Sequence, residues 1–240
     1  MFSHKTLSAF ALAAVLASAS CAHASLIIWE TPDRISTTGD TIVETGGTLV
    51  AGVNLRHNQT GTIRTVNTVD FTTDVGAMTS TANVSSDLGT STATVGAAVY
   101  GDGGVGATFE TVLDSFGFRN PTATFTFSGL TIGNTYQVQF FTSDRRSTAA
   151  NRFVEFNDGL GNLSDRVTQR NGYSTVGTFV ADGVSQAVTA TGYTTIGGST
   201  TTAIAVNALQ IRETAVVPEP ASLAFLLLGG LVCWRRFGRK

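Results

Sequence analysis

Short runs of β-type residues fill the middle of this chain and restrict the folds it can adopt. Between residues 25 and 213 these runs are rich in Val, Ile, Thr and Phe, and Gly, Asn and Asp separate them without any long helical period. Such a pattern is typical of short strands joined by turns. About ten to twelve runs follow each other at regular spacing, which predicts an all-β fold in which two sheets pack as a sandwich.

The clearest unit of this pattern spans Ala123–Phe141. Apolar side chains alternate with polar ones in two strands, and residues 130–134 form the turn between them. Gln137 and Gln139 lie opposite the apolar side of the second strand. The apolar side chains are Phe125 and Phe127 in the first strand, and Tyr136, Val138 and Phe140 in the second.

The remaining runs predict further strands of similar length. The last one is apolar on both sides and should be central in its sheet. We expect a strand at Ala107–Val112, with a turn at Asp114, in preference to a helix. The other predicted strands are Leu26–Trp29, a hairpin of Thr41–Glu44 and Thr48–Leu55 around Gly46 and Gly47, then Thr62–Phe71, Ala93–Tyr100, Arg152–Phe156, Ser174–Val180, Gln186–Thr191 and Thr202–Arg212.

The pattern Phe-x-Phe-x-Gly-Leu, followed by Gly-x-x-Tyr-x-Val-x-Phe, resembles that of the galactose-binding-like and malectin-like jelly rolls. The resemblance covers roughly Thr122–Phe141, with Ala205–Ile211 as a closing strand. In those folds the pattern spans two adjacent core strands. The resemblance implies a two-sheet, jelly-roll-like sandwich and a carbohydrate-binding role, although a fold does not determine a function.

The first 24 residues have the features of a secretory signal peptide, which we expect to form a helix before the domain. His4 and Lys5 form a short polar start, residues 7–17 are mainly apolar, and Ala22-His23-Ala24 is a cleavage site of the A-x-A type. Cleavage would leave Ser25 as the first residue of the mature chain. Cys21 offers a lipoprotein alternative, but Ser18 stands where a lipobox usually has Leu.

The last 24 residues combine three elements in a strict order. Val217, Pro218, Glu219 and Pro220 come first, and the two prolines prevent a helix from extending upstream. The apolar run 221–234 follows and predicts a single transmembrane helix of about 21 Å, which is short for a bilayer core of about 30 Å. Arg235, Arg236, Arg239 and Lys240 end the chain and favour a cytoplasmic end. A permanent anchor and a buried core helix are the alternatives.

This arrangement, paired with a signal peptide, resembles the PEP-CTERM sorting signal of Gram-negative bacteria. The resemblance implies processing by an exosortase, a membrane protease related in action to transpeptidases. It also implies association with exopolysaccharide and a final location at the outer surface or in the extracellular matrix. A glycosylphosphatidylinositol signal fits less well because such a signal ends in its hydrophobic stretch.

Composition removes several functions from consideration for the mature chain. Its ten arginines and absence of lysine stand against sixteen acidic residues, a net charge of −6, so it lacks the basic footprint of a nucleic-acid-binding protein. Both cysteines, Cys21 and Cys233, lie in the end segments. The domain therefore has no disulfide, thiol nucleophile or zinc-thiolate site.

The loop after the Phe140 strand is the main candidate for ligand binding. Asp144, Arg145 and Arg146 form a carboxylate and two guanidinium forks at a strand end, a set that suits hydroxyls or acidic sugars. Tyr173 is a candidate stacking platform for a sugar ring. The alternative is an Arg–Asp network at the surface with no ligand.

Two further chemistries have weaker candidates. Asn157, Asp158 and Asp165 offer oxygen ligands for calcium in a Gly-rich loop, with a plain turn as the alternative and no EF-hand spacing. Glycan hydrolysis would need paired carboxylates, for which Glu44, Glu110 and Glu155 are candidates, and His57 is the one histidine left after signal cleavage.

The sequence as a whole predicts three parts: a signal peptide at 1–24, a β-sandwich at 25–213 and a sorting segment at 214–240 with its helix at 221–234. We interpret the protein as an exported, non-catalytic surface or matrix component with a structural or carbohydrate-binding role and no cofactor other than calcium. Its expected partners are an exosortase-like protease, the membrane and exopolysaccharide, and not nucleic acid. A glycan-active envelope enzyme is the alternative.

Overall fold

A computed structural model describes residues 25–35, 39–55, 62–73, 83–90, 106–114, 116–146 and 151–215. The predicted signal peptide, the sorting elements from Val217 onward, His57 and the predicted strand Ala93–Tyr100 lie outside these residues. In the described ranges, no helix has both the length and the apolar character needed to cross a membrane.

The described residues are mostly β-structure, with seventeen strands, one short α-helix and two short 3₁₀ helices at Gly39–Ile42 and Gln169–Asn171. Many of the strands have only two or three residues, which is why the sequence pattern predicted fewer of them. In chain order the elements are β1 (Ile28–Trp29), β2 (Asp33–Arg34), β3 (Thr48–Asn54), β4 (Ile63–Val66), β5 (Val69–Thr73), β6 (Val84–Ser86), β7 (Gly89–Thr90), α1 (Ala107–Leu113), β8 (Gly117–Arg119), β9 (Thr122–Ser128), β10 (Thr135–Thr142), β11 (Phe153–Asn157), β12 (Val167–Thr168), β13 (Tyr173–Val180), β14 (Ser185–Tyr193), β15 (Thr201–Thr202), β16 (Ile204–Val206) and β17 (Ala208–Ala215).

The strands form three sheets in a sandwich-like arrangement. The large sheet has the order β1-β13-β10-β17-β3-β5-β4, with β2 also paired to β13. The second sheet has the order β12-β11-β14-β9-β6, with β15 paired to β14, and the small sheet has the order β16-β8-β7. Pairing is antiparallel except between β3 and β5. The prediction of a mainly β sandwich is therefore confirmed, and the small sheet is an addition that the sequence did not indicate.

Aromatic rings fill the space between the large and the second sheet. Phe140 of β10 lies at the centre of this core, with its ring centroid 4.3 Å from Phe156, 5.1 Å from Phe125 and 6.1 Å from Phe127. All four side chains are fully buried. Because Phe140 belongs to the large sheet and the other three rings to the second sheet, these contacts hold the two sheets together face to face.

Strands β9 and β10 do not pair with each other, although the sequence analysis expected two adjacent strands. β9 pairs with β14 and β6 in the second sheet, whereas β10 pairs with β13 and β17 in the large sheet. Gly129 and Gly133 have positive φ in the connection, which carries the chain from one sheet to the other. Alternation predicted the buried side of each strand correctly, but a period of two does not say whether two strands pair side by side or stack.

A second apolar layer covers the outer face of the large sheet. Helix α1 contributes Phe109, Val112 and Leu113, which are spaced as one helical face and are fully buried. The Phe109 ring lies edge-on to Phe141 of β10 at 5.4 Å. The prediction of a strand at residues 107–112 is therefore wrong. The β-branched residues of this segment suggested a strand, but its apolar residues follow the helical spacing.

A row of polar side chains on the same outer face binds the segment of residues 42–47, which we name the strap. Gln139 donates to the Ile42 carbonyl at 2.6 Å and accepts from the Glu44 amide at 3.1 Å. Gln210 donates to the Glu44 carbonyl at 3.0 Å and to Gln139 at 2.6 Å. Arg212 donates to the carbonyl oxygens of Thr45 (2.9 Å), Gly46 (2.6 Å) and Gly47 (3.0 Å).

The strap explains why the predicted hairpin around Gly46 and Gly47 is wrong. β3 pairs with β17 and β5 instead, and Thr41 and Ile42 belong to a 3₁₀ helix. In a hairpin, the backbone groups of residues 42–47 would form hydrogen bonds with the neighbouring strand. Here, side chains of β10 and β17 form hydrogen bonds with these backbone groups instead. A Gly-Gly pair signals a tight turn but not the partner of the segment before it.

Two other predicted strands are divided in the structure. Residues 62–71 form the hairpin of β4 and β5, with Asn67 and Thr68 at positive φ in the turn. Residues 202–212 contribute to β15, β16 and β17, which lie in three different sheets. The expectation that the end of this run is central is confirmed, because β17 lies between β10 and β3 in the large sheet.

The polar row predicts the effect of replacing Gln139, whose amide makes four hydrogen bonds. Gln139→Leu would leave buried backbone and side-chain groups unpaired at about 1–3 kcal/mol each. We expect the free energy of unfolding to fall by about 2–4 kcal/mol in urea denaturation. Gln137→Leu is the matched control, since Gln137 lies on the same face of the same strand and is only half-buried. Equal losses from both variants would contradict this role of Gln139.

Candidate functional site

Asp144 lies two residues beyond the end of β10 and is fully buried. Its backbone amide donates to the Gln169 carbonyl at 2.8 Å. The amide of the preceding residue, Ser143, donates to Asn207 Oδ1 at 2.5 Å. The large sheet therefore continues into a loop whose backbone is held on two sides, and the Asp144 carboxylate has a fixed position at this end of the sandwich.

Two arginines pair with the Asp144 carboxylate. Arg146 donates through Nε to Oδ1 and through Nη2 to Oδ2, both at 2.7 Å, which is the bidentate geometry of a strong pair. Arg152 donates through Nη1 to Oδ2 at 3.3 Å. The Asp144 side chain has no exposed area, whereas those of Arg146 and Arg152 are 30% and 21% exposed. One buried negative charge thus holds two cations that reach the surface.

The plane of the Arg146 guanidinium is fixed from a second side by an aromatic ring. Its Cζ lies 4.7 Å from the centroid of Phe116, a cation–π contact. The hydrogen bonds that Arg146 donates to Asp144 raise the pKa of Arg146, against a smaller lowering by burial. Arg146 therefore stays charged at any physiological pH.

The structure brings the four predicted ligand-binding residues to one end of the sandwich. Thr142 of β10 pairs with Tyr173 of β13, so the half-buried Tyr173 ring lies beside the strand that leads to Asp144, Arg145 and Arg146. Tyr173 also packs against the main core. The expected Arg–Asp network is present as an ion pair, but its carboxylate is buried and not at the surface.

Several residues at this end were missed by the sequence analysis. Arg152 precedes β11, Arg34 pairs with Tyr173, and Arg170 follows Gln169, whose carbonyl binds Asp144. These residues are far apart in the chain, and the register of the strands alone brings them together. No local sequence signal distinguishes them from other surface arginines, and Phe116 likewise has no motif around it.

The calcium candidates hold a loop in place through hydrogen bonds. Asp158 is buried and accepts from the amides of Leu160 (2.8 Å), Asn162 (3.1 Å) and Ile27 (3.1 Å). Asn157 accepts from the Gly159 amide at 2.6 Å, and Asp165 is exposed. Throughout the described ranges, no three His, Cys, Asp or Glu side chains are grouped to hold a metal ion. A calcium role for these residues stays a prediction.

The candidate glutamates are distributed over different layers. Glu155 points outward from the second sheet. There Arg166 forms an ion pair with its carboxylate at 3.2 Å, and the Tyr193 hydroxyl donates a hydrogen bond to it at 3.2 Å. Burial, and then Glu155, raise the pKa of Tyr193. Glu44 belongs to the strap on the far side of the large sheet, and Glu110 belongs to α1. The sandwich therefore separates Glu155 from Glu44.

The environment of Glu44 is nevertheless unusual for a carboxyl group. Burial is the main cause that raises the pKa of Glu44 above 4.5. The negative charges of Glu30 and Asp33 raise this pKa further, whereas the positive charge of Arg212 lowers it. Burial also lowers the pKa of Arg212, against the charge of Glu44. Glu44 belongs to the strap and Arg212 to the polar row that binds it, so the attachment of the strap places the two groups near each other.

The predicted first residue of the mature chain, Ser25, is docked on the sandwich. It is buried, its backbone nitrogen donates to Gln186 Oε1 at 2.6 Å, and its hydroxyl donates to Asp182 Oδ1 at 2.8 Å. Ile27, two residues later, lies in the main core. The chain is therefore anchored in the fold from the expected cleavage point onward.

Two surface depressions lie away from the Asp144 end. One, of about 370 Å³, is at the rim formed by β3, β5 and Asn83, and the other, of about 280 Å³, lies beside β1 and β13. Neither has an arginine or a Tyr or Trp ring in its lining, so neither offers a sugar-stacking surface with charged donors. The larger depression is lined by Leu49–Gly52, Ile63, Asp70, Thr72 and Asn83. The smaller one is lined by Ser25, Leu26, Ile28, Thr135, Thr178–Val180 and Asp182.

Compared with models of known protein families and with curated proteins, the chain matches none. Its function is therefore inferred from its own residues.

The Asp144 ion pairs predict a strong effect of removing Arg146. Arg146→Ala leaves a buried carboxylate with only the longer contact to Arg152, and breaking a buried pair costs about 3–5 kcal/mol. We expect a loss of about 3 kcal/mol in the free energy of unfolding, measured by chemical denaturation.

Arg119→Ala is the control for this measurement. Arg119 pairs with Asp87 at 3.2 Å, but both side chains are substantially exposed, so the loss should not exceed about 1 kcal/mol. If the two variants lose equal stability, the Asp144 pair is no more important than an ordinary surface pair.

Proposed function

We propose that this chain is an exported, non-catalytic β-sandwich protein of the envelope or extracellular matrix, sorted and processed through its C-terminal PEP-CTERM-like segment. The observation that carries this proposal is the order of elements in residues 217–240, together with the signal-peptide pattern of residues 1–24. An accessible Pro218-Glu219-Pro220 peptide, a marginal apolar helix and a basic end suit a membrane protease of the exosortase type.

The boundaries of the folded part support this proposal. Ser25 and Ile27 are built into the sandwich, and cleavage before Ser25 would leave these contacts in place. At the other end β17 extends to Ala215, only two residues before Val217. In the sequence, the Pro218-Glu219-Pro220 peptide therefore follows the last described strand within three residues.

The sandwich itself favours a binding or structural role of the jelly-roll type. Consecutive strands change sheet repeatedly, from β9 to β10, from β10 to β11 and from β13 to β14, which is characteristic of a jelly roll. The polar groups with the most organised geometry are the arginines around Asp144. They can donate hydrogen bonds to oxygen atoms of a carbohydrate but supply neither a nucleophile nor a general base.

Replacement of Pro218, Glu219 and Pro220 by alanines tests the sorting signal. We expect full-length protein to accumulate in the inner membrane, because the apolar helix remains and the processing peptide is lost. Fractionation followed by immunoblotting of a host with an exosortase measures this outcome. Ile196→Ala, at an exposed position of the domain, is the control and should be sorted normally. Normal processing of the triple-alanine variant would refute the sorting proposal.

A further inference from the structure

Exposed apolar side chains are concentrated at the end of the sandwich where β17 finishes, which we name the apolar end. Of the nine large apolar side chains that are exposed in the described ranges, five lie here, each with 54–67% of its surface accessible. Single exposed apolar side chains are ordinary, but several together mark contact with a partner or a membrane. The five members are Leu26, Ile28, Ile132, Val180 and Val184.

Backbone hydrogen bonds join the two chain connections at this end. One connection lies between β9 and β10, the other between β13 and β14, and each carries one of the exposed side chains. The Leu130 amide donates to the Val184 carbonyl at 3.1 Å, and the Gly133 amide donates to the Ala181 carbonyl at 2.7 Å. The Ala181 amide donates in return to the Asn134 carbonyl at 2.9 Å. The two connections therefore present their apolar side chains on one fixed surface.

The other three exposed side chains continue this surface along the edge of the large sheet. Leu26, Ile28 and Val180 line the surface depression of about 280 Å³, together with Thr135. Thr135 begins β10 and is opposite Val180, the last residue of β13. The depression and the two connections are thus parts of the same end of the molecule.

The described chain also finishes at this end. Ala215, the last residue of β17, is opposite Thr135, and the Thr214 hydroxyl donates to the Thr135 carbonyl at 3.3 Å. In the sequence, residues 216–220 alone separate Ala215 from the apolar run 221–234. Six Cα steps span at most about 20 Å, so the run begins within that distance of Ala215.

The charges of the apolar end do not favour anionic lipids. Asp182 accepts from the Ser25 hydroxyl at 2.8 Å, and Glu213 accepts from the side chains of Asn134 and Tyr136 at 3.1 and 3.2 Å. Basic residues are what attract a protein to an anionic membrane surface. Burial of apolar surface is therefore the interaction that this end can offer to a bilayer. Neither arginine nor lysine occurs in the segments that form it, which are 25–28, 130–135, 180–185 and 213–215.

We propose that the apolar end rests on the surface of the lipid bilayer while the apolar run 221–234 is inserted in it. The short tether holds this end near the headgroups, and apolar side chains are buried favourably at the boundary of headgroups and acyl chains. The Asp144 end, at the other end of β10, then faces away from the membrane. This inference rests on the proposed sorting stage in the inner membrane and names the surface that the domain contacts there.

A bilayer suits the apolar run better than the apolar end itself does. Ser222 is the only polar side chain of the run, so a helix formed by it is apolar all round. Folded back onto the apolar end, such a helix would bury one face and leave the rest in water. In a bilayer the helix and the apolar end are both buried.

Tryptophan fluorescence in vesicles of brominated phosphatidylcholine tests the contact, because bromine atoms in the acyl chains quench a nearby indole. The full chain is made in a host without an exosortase and reconstituted in these vesicles. We expect quenching of about half or more of the fluorescence that Val184→Trp adds, since an interfacial Trp lies at headgroup level. Added NaCl should not reduce this quenching, because the contact does not depend on charge.

Ile196→Trp is the matched control. Ile196 is 68% exposed and lies three residues beyond the far end of β14, the strand that begins next to Val184. The fluorescence that Ile196→Trp adds should not be quenched. Thermal unfolding of both variants verifies that the fold is retained.

The inference is overturned if the added fluorescence is quenched equally in the two variants or in neither. Cross-linked dimers, with Val184→Trp unquenched, would assign the apolar end to a second copy of the chain and also overturn it. Comparison with Trp234→Phe shows separately whether the tail enters the bilayer. A quenched Trp234 with an unquenched Val184→Trp retains the proposed sorting stage and loses only the contact. An unquenched Trp234 with a quenched Val184→Trp retains the contact and contradicts insertion of the tail.

Discussion

The structure depends on the contact of two sheets through the ring of Phe140. The described residues include no cysteine, so no disulfide within them links the sheets, and burial of apolar surface must stabilise them. Phe140 touches three rings that belong to β9 and β11 of the opposite sheet. Burying a side chain of this size contributes about 1.5–3 kcal/mol, and the crossing of the chain between β9 and β10 places these rings face to face.

Strand β10 links this core to both polar features of the molecule. Its inner side carries Phe140, its outer side carries Gln139, which binds the strap, and its end leads within two residues to Asp144. The Asp144 end of the sandwich is therefore positioned by a strand that is fixed on both of its faces. This arrangement explains how side chains distant in sequence hold a defined geometry.

The extent to which the sequence predicted this structure follows from what each pattern encodes. Alternation around Phe125 and Val138 identified two strands and their buried sides, because the side-chain period depends only on the strand itself. It could not show that the strands stack, since that depends on partners such as β13 and β14. The strap at residues 42–47 was mistaken for half of a hairpin because its hydrogen-bond partners, Gln139 and Arg212, are about a hundred or more residues away. Helix α1 was mistaken for a strand because seven residues make only about two turns, too few for the helical spacing of apolar residues to be distinct.

The candidate site shows the same division. Asp144, Arg145 and Arg146 could be proposed from the sequence because they are consecutive residues at a strand end. Arg34, Arg152 and Arg170 join them through strand register, which no local motif encodes. The two surface depressions described above do not point to these arginines either, because neither depression has an arginine in its lining.

The central claim is that the cell trims this polypeptide at both ends and delivers the sandwich between them. Intact-mass analysis of the protein recovered from the envelope and medium of its host tests that claim most directly. The account predicts a species that begins at Ser25 and ends near Pro218-Glu219-Pro220, with any added mass at the new C-terminus. A single species with the mass of all 240 residues would contradict it.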